Sequence, residues 1–173
     1  YNVLLREKCW SNFPKKFAGK PYEEYAKKRL EFELDTICNL KYSSYFLIVE
    51  DLINYGRSNG WTVGPGRGSA AGCVVSYLLG IVRIDPVRWG LHFERFLNPE
   101  RAKPPDIDID FSSRCQDRAF EYLQKKYGTD KVARIITYNK LKVKSALKDV
   151  NRVIEAMDYD SINAITKIIP DGI

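Results

Sequence analysis

Three aspartates alternate with large apolar residues in the stretch KPPDIDIDF, residues 103–111. Successive side chains of an extended chain point to opposite faces, so Asp106, Asp108 and Asp110 share one face. Carboxylates this close repel one another, and a divalent cation removes the repulsion. Two acids at i and i+2 suit a pair of Mg²⁺ ions about 3.5–4 Å apart, an arrangement used in phosphoryl transfer. An exposed edge strand whose charges discourage aggregation would have the same pattern.

A glycine-rich loop, VGPGRGSAAG at residues 63–72, follows a short strand candidate and precedes a predicted helix. Small residues let the backbone approach a ligand, and a helix N-terminus offers free N–H groups to phosphate. Ser69 adds a hydroxyl and Arg67 a forked cationic donor, so the loop is a candidate phosphate-binding site. It is neither a Walker A loop nor a GxGxxG fingerprint. A tight turn with a helix cap would use the same residues.

Two arginines precede the aspartates in the stretch HFERFLNPER, namely Arg95 and Arg101. Arginines near metal-binding carboxylates suit a triphosphate, whose charge the metals only partly neutralise. The same arginines could instead form salt bridges with Glu94 and Glu100.

A row of cations is predicted on a helix in the stretch YNKLKVKSALKDVNRVIEAM. We call it the basic ridge; its members follow one another at i, i+4 steps: Lys140, Lys144, Lys148 and Arg152. Such a row above an apolar face could contact the phosphates of a nucleic-acid backbone. A solvated charged helix face is the alternative.

Composition and net charge limit the classes of protein to which this chain can belong. The 173 residues have a net charge of +6, which modestly favours a polyanionic partner. Four widely spaced cysteines and one histidine, His92, argue against a zinc site or a disulfide framework, and indicate free thiols in a reducing cytoplasm. No apolar run reaches the length of a membrane span. The chain begins without Met, and we interpret it as a piece of a longer protein.

Helical and strand patterns alternate along the chain. Apolar spacing predicts helices in residues 21–40, 43–60 and 70–80, and capping-box spacing predicts another at 113–128. Residues 1–20 have poor periodicity and are predicted to be an irregular lead-in. The acidic stretch and the segments WTV and VARII are strand candidates. Helices and short strands without regular βαβ spacing favour an α+β fold.

Five segments together resemble the bacterial C-family replicative polymerases, specifically the DnaE-type alpha subunit of DNA polymerase III. They occur in the family's order: RLEFELDTICNLKYSSYFLIVEDLI, VGPGRGSAAG, FERFLNPER, PDIDIDF and RIITYNKLKVKSALKDV. Each segment alone is weakly specific, but five in order with family spacing are highly specific. The resemblance extends from about residue 22 to the end of the chain.

This resemblance implies a nucleotidyltransferase-type palm, a mixed β-sheet flanked by helices, over residues 1–137, and the start of a helical thumb over 138–173. It makes Asp106 and Asp108 ligands of two catalytic Mg²⁺ ions. It also implies that Gly68 and Ser69 lie at the phosphates of the incoming nucleotide, with Arg95 as a further phosphate contact.

The implied reaction is attack of a primer 3′-hydroxyl on a deoxynucleoside triphosphate, with primer–template DNA as substrate. The full-length protein would also bind a sliding clamp and other replisome subunits. The family's third catalytic aspartate comes from a later segment, so we expect the isolated chain to be inactive. Two alternatives stay open. One is a non-catalytic nucleic-acid-binding module with a palm-like fold, and the other is a free-standing nucleotidyltransferase with Asp110 as its third acid.

Overall fold

Helices joined by irregular segments form the structure, a computed structural model that describes residues 1–100, 104–138 and 140–170. The α-helices of these residues are α1 (Asn2–Phe17), α2 (Glu23–Asn39), α3 (Ser43–Ser58), α4 (Val74–Leu78), α5 (Gln116–Tyr127), α6 (Val143–Ile154) and α7 (Tyr159–Ile168). Short 3₁₀ helices span Gly68–Gly72, Phe93–Arg95 and Ser113–Cys115. None of the described helices is long and apolar enough to cross a membrane.

The chain divides into two compact units, Tyr1–Val132 and Ala133–Ile173. Helices α1 to α5 belong to the first unit, and α6 packs on α7 in the second. In the first unit, α1 contacts α2, α3 and α4, and α3 contacts α5. The acidic residues and the glycine-rich loop therefore lie in one unit, and the basic ridge lies in the other.

The core of the first unit forms where the apolar stripes of the helices meet. The apolar residues whose spacing predicts a helix at 21–40 form one stripe of α2, and this stripe is fully buried: Ala26, Leu30, Leu34 and Ile37. Burial of each large side chain contributes about 1.5–3 kcal/mol relative to leaving it exposed. This stripe thereby holds α2 against α1 and α4.

Helix α1 replaces the irregular lead-in that was predicted for residues 1–20. Its buried residues repeat at i, i+4 steps: Leu5, Cys9, Phe13 and Phe17. That spacing is a helical signal. Pro14 and Gly19 obscured it, but Pro14 lies in the last turn of the helix, which ends three residues later.

The predicted mixed β-sheet is wrong, because the described parts of the chain contain no strand and only one isolated antiparallel bridge, between Val63 and Phe111. Beside this bridge the Gly64 N–H donates to the Asp110 carbonyl at 2.9 Å. No third described segment extends the pair into a ladder. In the VARII segment, which was a strand candidate, Ile135 and Ile136 are 94% and 74% exposed.

Backbone contacts hold the glycine-rich loop to the segment that follows α4. The Arg83 N–H donates to the Pro65 carbonyl at 2.8 Å. Gly66 has a φ of +91°, and a Cβ at this position would lie 2.6 Å from Val82 Cγ1. Gly66 therefore has both a left-handed backbone and a close packing contact, which only glycine combines without strain.

Comparing two glycines tests this packing contact. Gly19 also has a positive φ, +75°, but no atom lies within 4 Å of the position that a Cβ would take there. Gly19→Ala should lower the free energy of unfolding by about 1–2 kcal/mol, the cost of a left-handed backbone. Gly66→Ala should cost about 1–3 kcal/mol more, because its methyl group also overpacks Val82. Urea unfolding followed by circular dichroism measures both losses, and equal losses would contradict the contact.

Candidate functional site

The acidic segment, residues 106–110, directs its aspartates away from the core. Asp106 is exposed, and the side chains of Asp108 and Asp110 are 36% and 51% exposed. Ile107 is buried in the hydrophobic core, and Ile109 packs against that core. The side chains therefore alternate as the sequence predicts, although the segment is not a strand of a sheet.

Arg67 of the glycine-rich loop contacts two of these carboxylates. Its Nε donates to Asp110 Oδ1 at 3.0 Å, and its Nη2 lies 3.4 Å from Asp108 Oδ1. Both ion pairs are partly exposed to solvent, which weakens their contribution to stability. They nevertheless bring together two segments that are about forty residues apart in sequence.

Gly68 allows the loop backbone to approach the acidic segment closely. Its φ is +67°, and a Cβ on this residue would lie 3.0 Å from Asp108 Oδ2. A side chain here would occupy the space beside the carboxylate. Glycine at this position therefore lets the loop backbone lie directly against the carboxylate of Asp108.

Two neighbouring cavities are lined by the remaining described residues of the predicted nucleotide and metal site. Ser69, Arg95 and Asp106 line a small cavity of about 70 Å³. Ser69 and Arg95 also line a larger cavity of about 470 Å³, together with Gly68. Three separate segments thus place a hydroxyl, a guanidinium and a carboxylate around common space. Arg101, the fifth predicted nucleotide-binding residue, lies outside the described residues.

The carboxylates of Asp106 and Asp108 are hard oxygen donors of the kind that Mg²⁺ prefers. Within the part of the chain that the structure describes, no group of three or more His, Cys, Asp or Glu side chains could hold a metal ion. A Mg²⁺ ion commonly takes only one or two carboxylates and completes its shell with phosphates and waters. Asp106, which lines a cavity with Ser69 and Arg95, and the neighbouring Asp108 fit such a partial set of ligands.

A buried polar network that was not predicted from the sequence connects α2 to the residues that follow the glycine-rich loop. Glu33 of α2 is fully buried and accepts hydrogen bonds from the Val75 N–H at 3.1 Å and the Cys73 thiol at 3.2 Å. The Arg29 Nε also donates to Glu33, at 3.0 Å. The sequence does contain a signal for this network, because the carboxylate at position 33 lies next to Leu34 in the apolar stripe of α2.

Burial dominates the ionisation of this network. Desolvation raises the pKa of Glu33 to about 7, and the hydrogen bonds from Val75, Arg29 and Cys73 only partly oppose it. Desolvation and the charge of Glu33 raise the pKa of the Cys73 thiol well above its ordinary value. Cys73 therefore remains a protonated donor at neutral pH.

The basic ridge is only partly helical. Lys140 precedes α6, whereas Lys144, Lys148 and Arg152 lie on it at i, i+4 steps. The Arg152 Nη2 lies 3.2 Å from Asp149 Oδ1. The apolar face predicted beneath the ridge is largely exposed in the described residues, with Val150 at 54%.

The family model for the bacterial DNA polymerase III alpha NTPase domain matches residues 3–173. The chain belongs to this family. The match confirms the resemblance drawn from the five ordered segments, and it also covers nearly all of α1, which those segments do not reach.

Curated relatives agree with this assignment. DNA polymerase III subunit alpha of Aquifex aeolicus (strain VF5) is 48% identical over 154 residues, covering 89% of this chain and 13% of that protein. The subunit of Thermus aquaticus is 47% identical, covering 96% of this chain and 14% of that protein. The subunit of Bacillus subtilis (strain 168) is 46% identical, covering 96% of this chain and 15% of that protein. The chain thus spans about one seventh of the length of these relatives.

The raised pKa of Glu33 predicts a specific pH dependence of stability. Its folded pKa of about 7 exceeds its ordinary value of 4.5, so protonation stabilises the fold and this contribution is lost as pH rises through 7. From pH 4.5 to pH 8 the wild-type chain should lose about 3 kcal/mol that Glu33→Gln does not lose. Urea unfolding at both pH values measures the difference.

Glu31→Gln is the matched control for this experiment, because Glu31 is an exposed residue on the same helix. It should keep the pH dependence of the wild type. A Glu33→Gln variant with that same dependence would contradict the effect of burial.

Proposed function

We propose that this chain supplies the nucleotide- and metal-binding part of a DNA polymerase active site. The observation that carries the proposal is the convergence of Ser69, Arg95 and Asp106 on one cavity, with Arg67 bonding the neighbouring aspartates. Membership of the polymerase III alpha family supports a polymerase as the full-length protein. In that protein, template-directed addition of deoxynucleotides to a primer 3′-hydroxyl is the proposed reaction.

In this proposal Asp106 and Asp108 hold Mg²⁺ through their carboxylate oxygens. Bound Mg²⁺ would lower the pKa of the primer hydroxyl and offset the charge that develops on the pyrophosphate leaving group. The full set of ligands needs further oxygen donors, from the triphosphate, from water or from other parts of the full-length protein.

The loop residues act on the triphosphate. The backbone at Gly68 and the hydroxyl of Ser69 offer neutral hydrogen-bond donors, and Arg95 offers a planar cation suited to phosphate oxygens. These groups orient the phosphates so that the hydroxyl can attack in line, and fixed positioning of this kind supplies much of the acceleration. Arg67 forms ion pairs with Asp108 and Asp110 and so holds both carboxylates beside the loop.

Substitution of the aspartates in the full-length polymerase tests the proposal. Asp106→Asn and Asp108→Asn should each reduce the rate of primer extension at least about 10²-fold, because an amide replaces an anionic metal ligand. The circular dichroism spectrum should not change, since both side chains point away from the core. Asp35→Asn, the same change at an exposed site on α2, is the control. Near-normal extension by both variants would refute the assignment.

We also propose that the basic ridge contacts the phosphate backbone of primer–template DNA. Lys148 and Arg152 are both exposed on α6, and together they could neutralise two phosphates. The contact is independent of the loop and the acids, because it concerns the second compact unit alone.

The double reversal Lys148→Glu/Arg152→Glu should weaken DNA binding by the full-length polymerase and flatten its salt dependence. Loss of two phosphate contacts reduces the slope of log K against log salt concentration by about 2. Fluorescence anisotropy over a salt series gives this slope. The reversal Lys27→Glu/Lys28→Glu on the exposed side of α2 is the control. An unchanged slope would leave the ridge as solvated surface.

A further inference from the structure

Helix α2 reaches the glycine-rich loop through one nearly buried arginine, Arg29. The Arg29 Nη2 donates to the Gly72 carbonyl at 2.6 Å, while its Nε donates to Glu33 at 3.0 Å. The side chain of Arg29 is 11% exposed and that of Glu33 is fully buried. The guanidinium therefore bridges a carboxylate on its own helix and a backbone carbonyl at the end of the Gly68–Gly72 helix.

Glu33 holds the other side of the same junction. It accepts hydrogen bonds from the Cys73 thiol and the Val75 N–H, which lie at the start of α4. The two α2 side chains thus form hydrogen bonds to three residues within one short stretch of the chain: Gly72, Cys73 and Val75. These bonds fix the point at which the 3₁₀ helix turns into α4.

The junction also contacts the segment that contains His92. A Cβ at Gly72 would lie 2.6 Å from the His92 carbonyl oxygen, so the two backbones are in direct contact. His92 immediately precedes the Phe93–Arg95 helix, which presents Arg95. The 3₁₀ helix that presents Ser69 therefore contacts both α2 and the segment that presents Arg95.

Stability alone is a poor explanation for this arrangement. A buried ion pair is often no more stabilising than apolar side chains of similar volume, because both ions lose their hydration. The raised pKa of Glu33 reflects that cost. A forked donor fixed between a carboxylate and a carbonyl does, however, define the position of the backbone it bonds.

We propose that Arg29 and Glu33 are positioning residues for nucleotide binding, which set the placement of Ser69 relative to Arg95 and Asp106. The inference rests on the proposed function of the loop and names the residues that hold the loop in the conformation that would bind a triphosphate. Neither side chain touches the nucleotide. Both act through the backbone of residues 72–75, so their loss affects nucleotide binding more than DNA binding.

Arg29→Lys in the full-length polymerase is the sharpest test. Lysine keeps the positive charge, but a single ammonium group cannot reproduce the fork between Glu33 and the Gly72 carbonyl. In single-nucleotide incorporation, the KM for the deoxynucleoside triphosphate should rise roughly tenfold, the effect of one lost charge-assisted hydrogen bond. The kcat and the Kd for primer–template DNA should change less than about twofold, because the lost bond acts on the nucleotide loop.

Glu33→Gln provides a second variant with a milder change. Glutamine keeps an acceptor for the Val75 N–H but removes the charge that faces Arg29. Its KM should rise in the same direction and by less than that of Arg29→Lys. Arg6→Lys is the matched control, because Arg6 forms an ion pair with Asp35 at the surface between α1 and α2. Its KM should equal that of the wild type.

The outcomes separate the two levels of the proposal. An unchanged KM in both α2 variants would overturn the positioning role, including when their melting temperature falls, since that result indicates structural support alone. Asp106→Asn is measured in parallel. If Asp106→Asn retains turnover, the proposed function itself is contradicted. If Asp106→Asn loses turnover but the Arg29 and Glu33 variants keep the wild-type KM, only the positioning role is contradicted.

Discussion

The site depends on contact between the glycine-rich loop and the acidic segment, to which the pairing of Arg67 with Asp108 and Asp110 contributes. Three carboxylates within five residues repel one another unless a cation balances them. The guanidinium of the glycine-rich loop supplies that balance for two of them. It joins the loop to the acidic segment together with the backbone hydrogen bond from the Gly64 N–H to the Asp110 carbonyl, at 2.9 Å.

Glycine makes this approach sterically possible at two positions. A side chain at Gly64 would contact Asp110, since a Cβ there would lie 2.9 Å from the Asp110 Cβ. At Gly68 the corresponding contact is with an Asp108 oxygen. The loop can thus lie against the acidic segment along its length while Ser69 faces the cavity shared with Arg95. Backbone packing and ion pairing therefore both bring the glycine-rich loop against the acidic segment.

Local patterns predicted much of this site. The period-2 alternation of residues 106–111 predicted that the three aspartates share one face, because a side chain's face depends only on neighbouring backbone geometry. The stripe of α2 was also predicted, since its i, i+4 spacing is local. The convergence of Arg67 on Asp108 does not follow from any local pattern, because contacts between distant segments depend on how the intervening helices pack.

The two main errors have different causes. The mixed β-sheet required several strands to pair, and the described residues provide one bridge at Val63 and Phe111 instead. Strand-like patterns indicate extended backbone, but a ladder needs a partner that the pattern does not specify. Helix α1 was missed although its apolar spacing was visible, because Pro14 interrupts the pattern of good helix formers. Glu33 was overlooked since its partners on α4 are about forty residues away.

Metal binding by the acidic segment is the central claim, and paramagnetic broadening by Mn²⁺ measures it most directly. In NMR spectra of the full chain, substoichiometric Mn²⁺ should broaden the resonances of Asp106 and Asp108 first, together with those of Gly68 and Ser69. The double variant Asp106→Asn/Asp108→Asn should remove the effect. Resonances that stay sharp around both aspartates would contradict metal binding and favour a non-catalytic nucleic-acid-binding module.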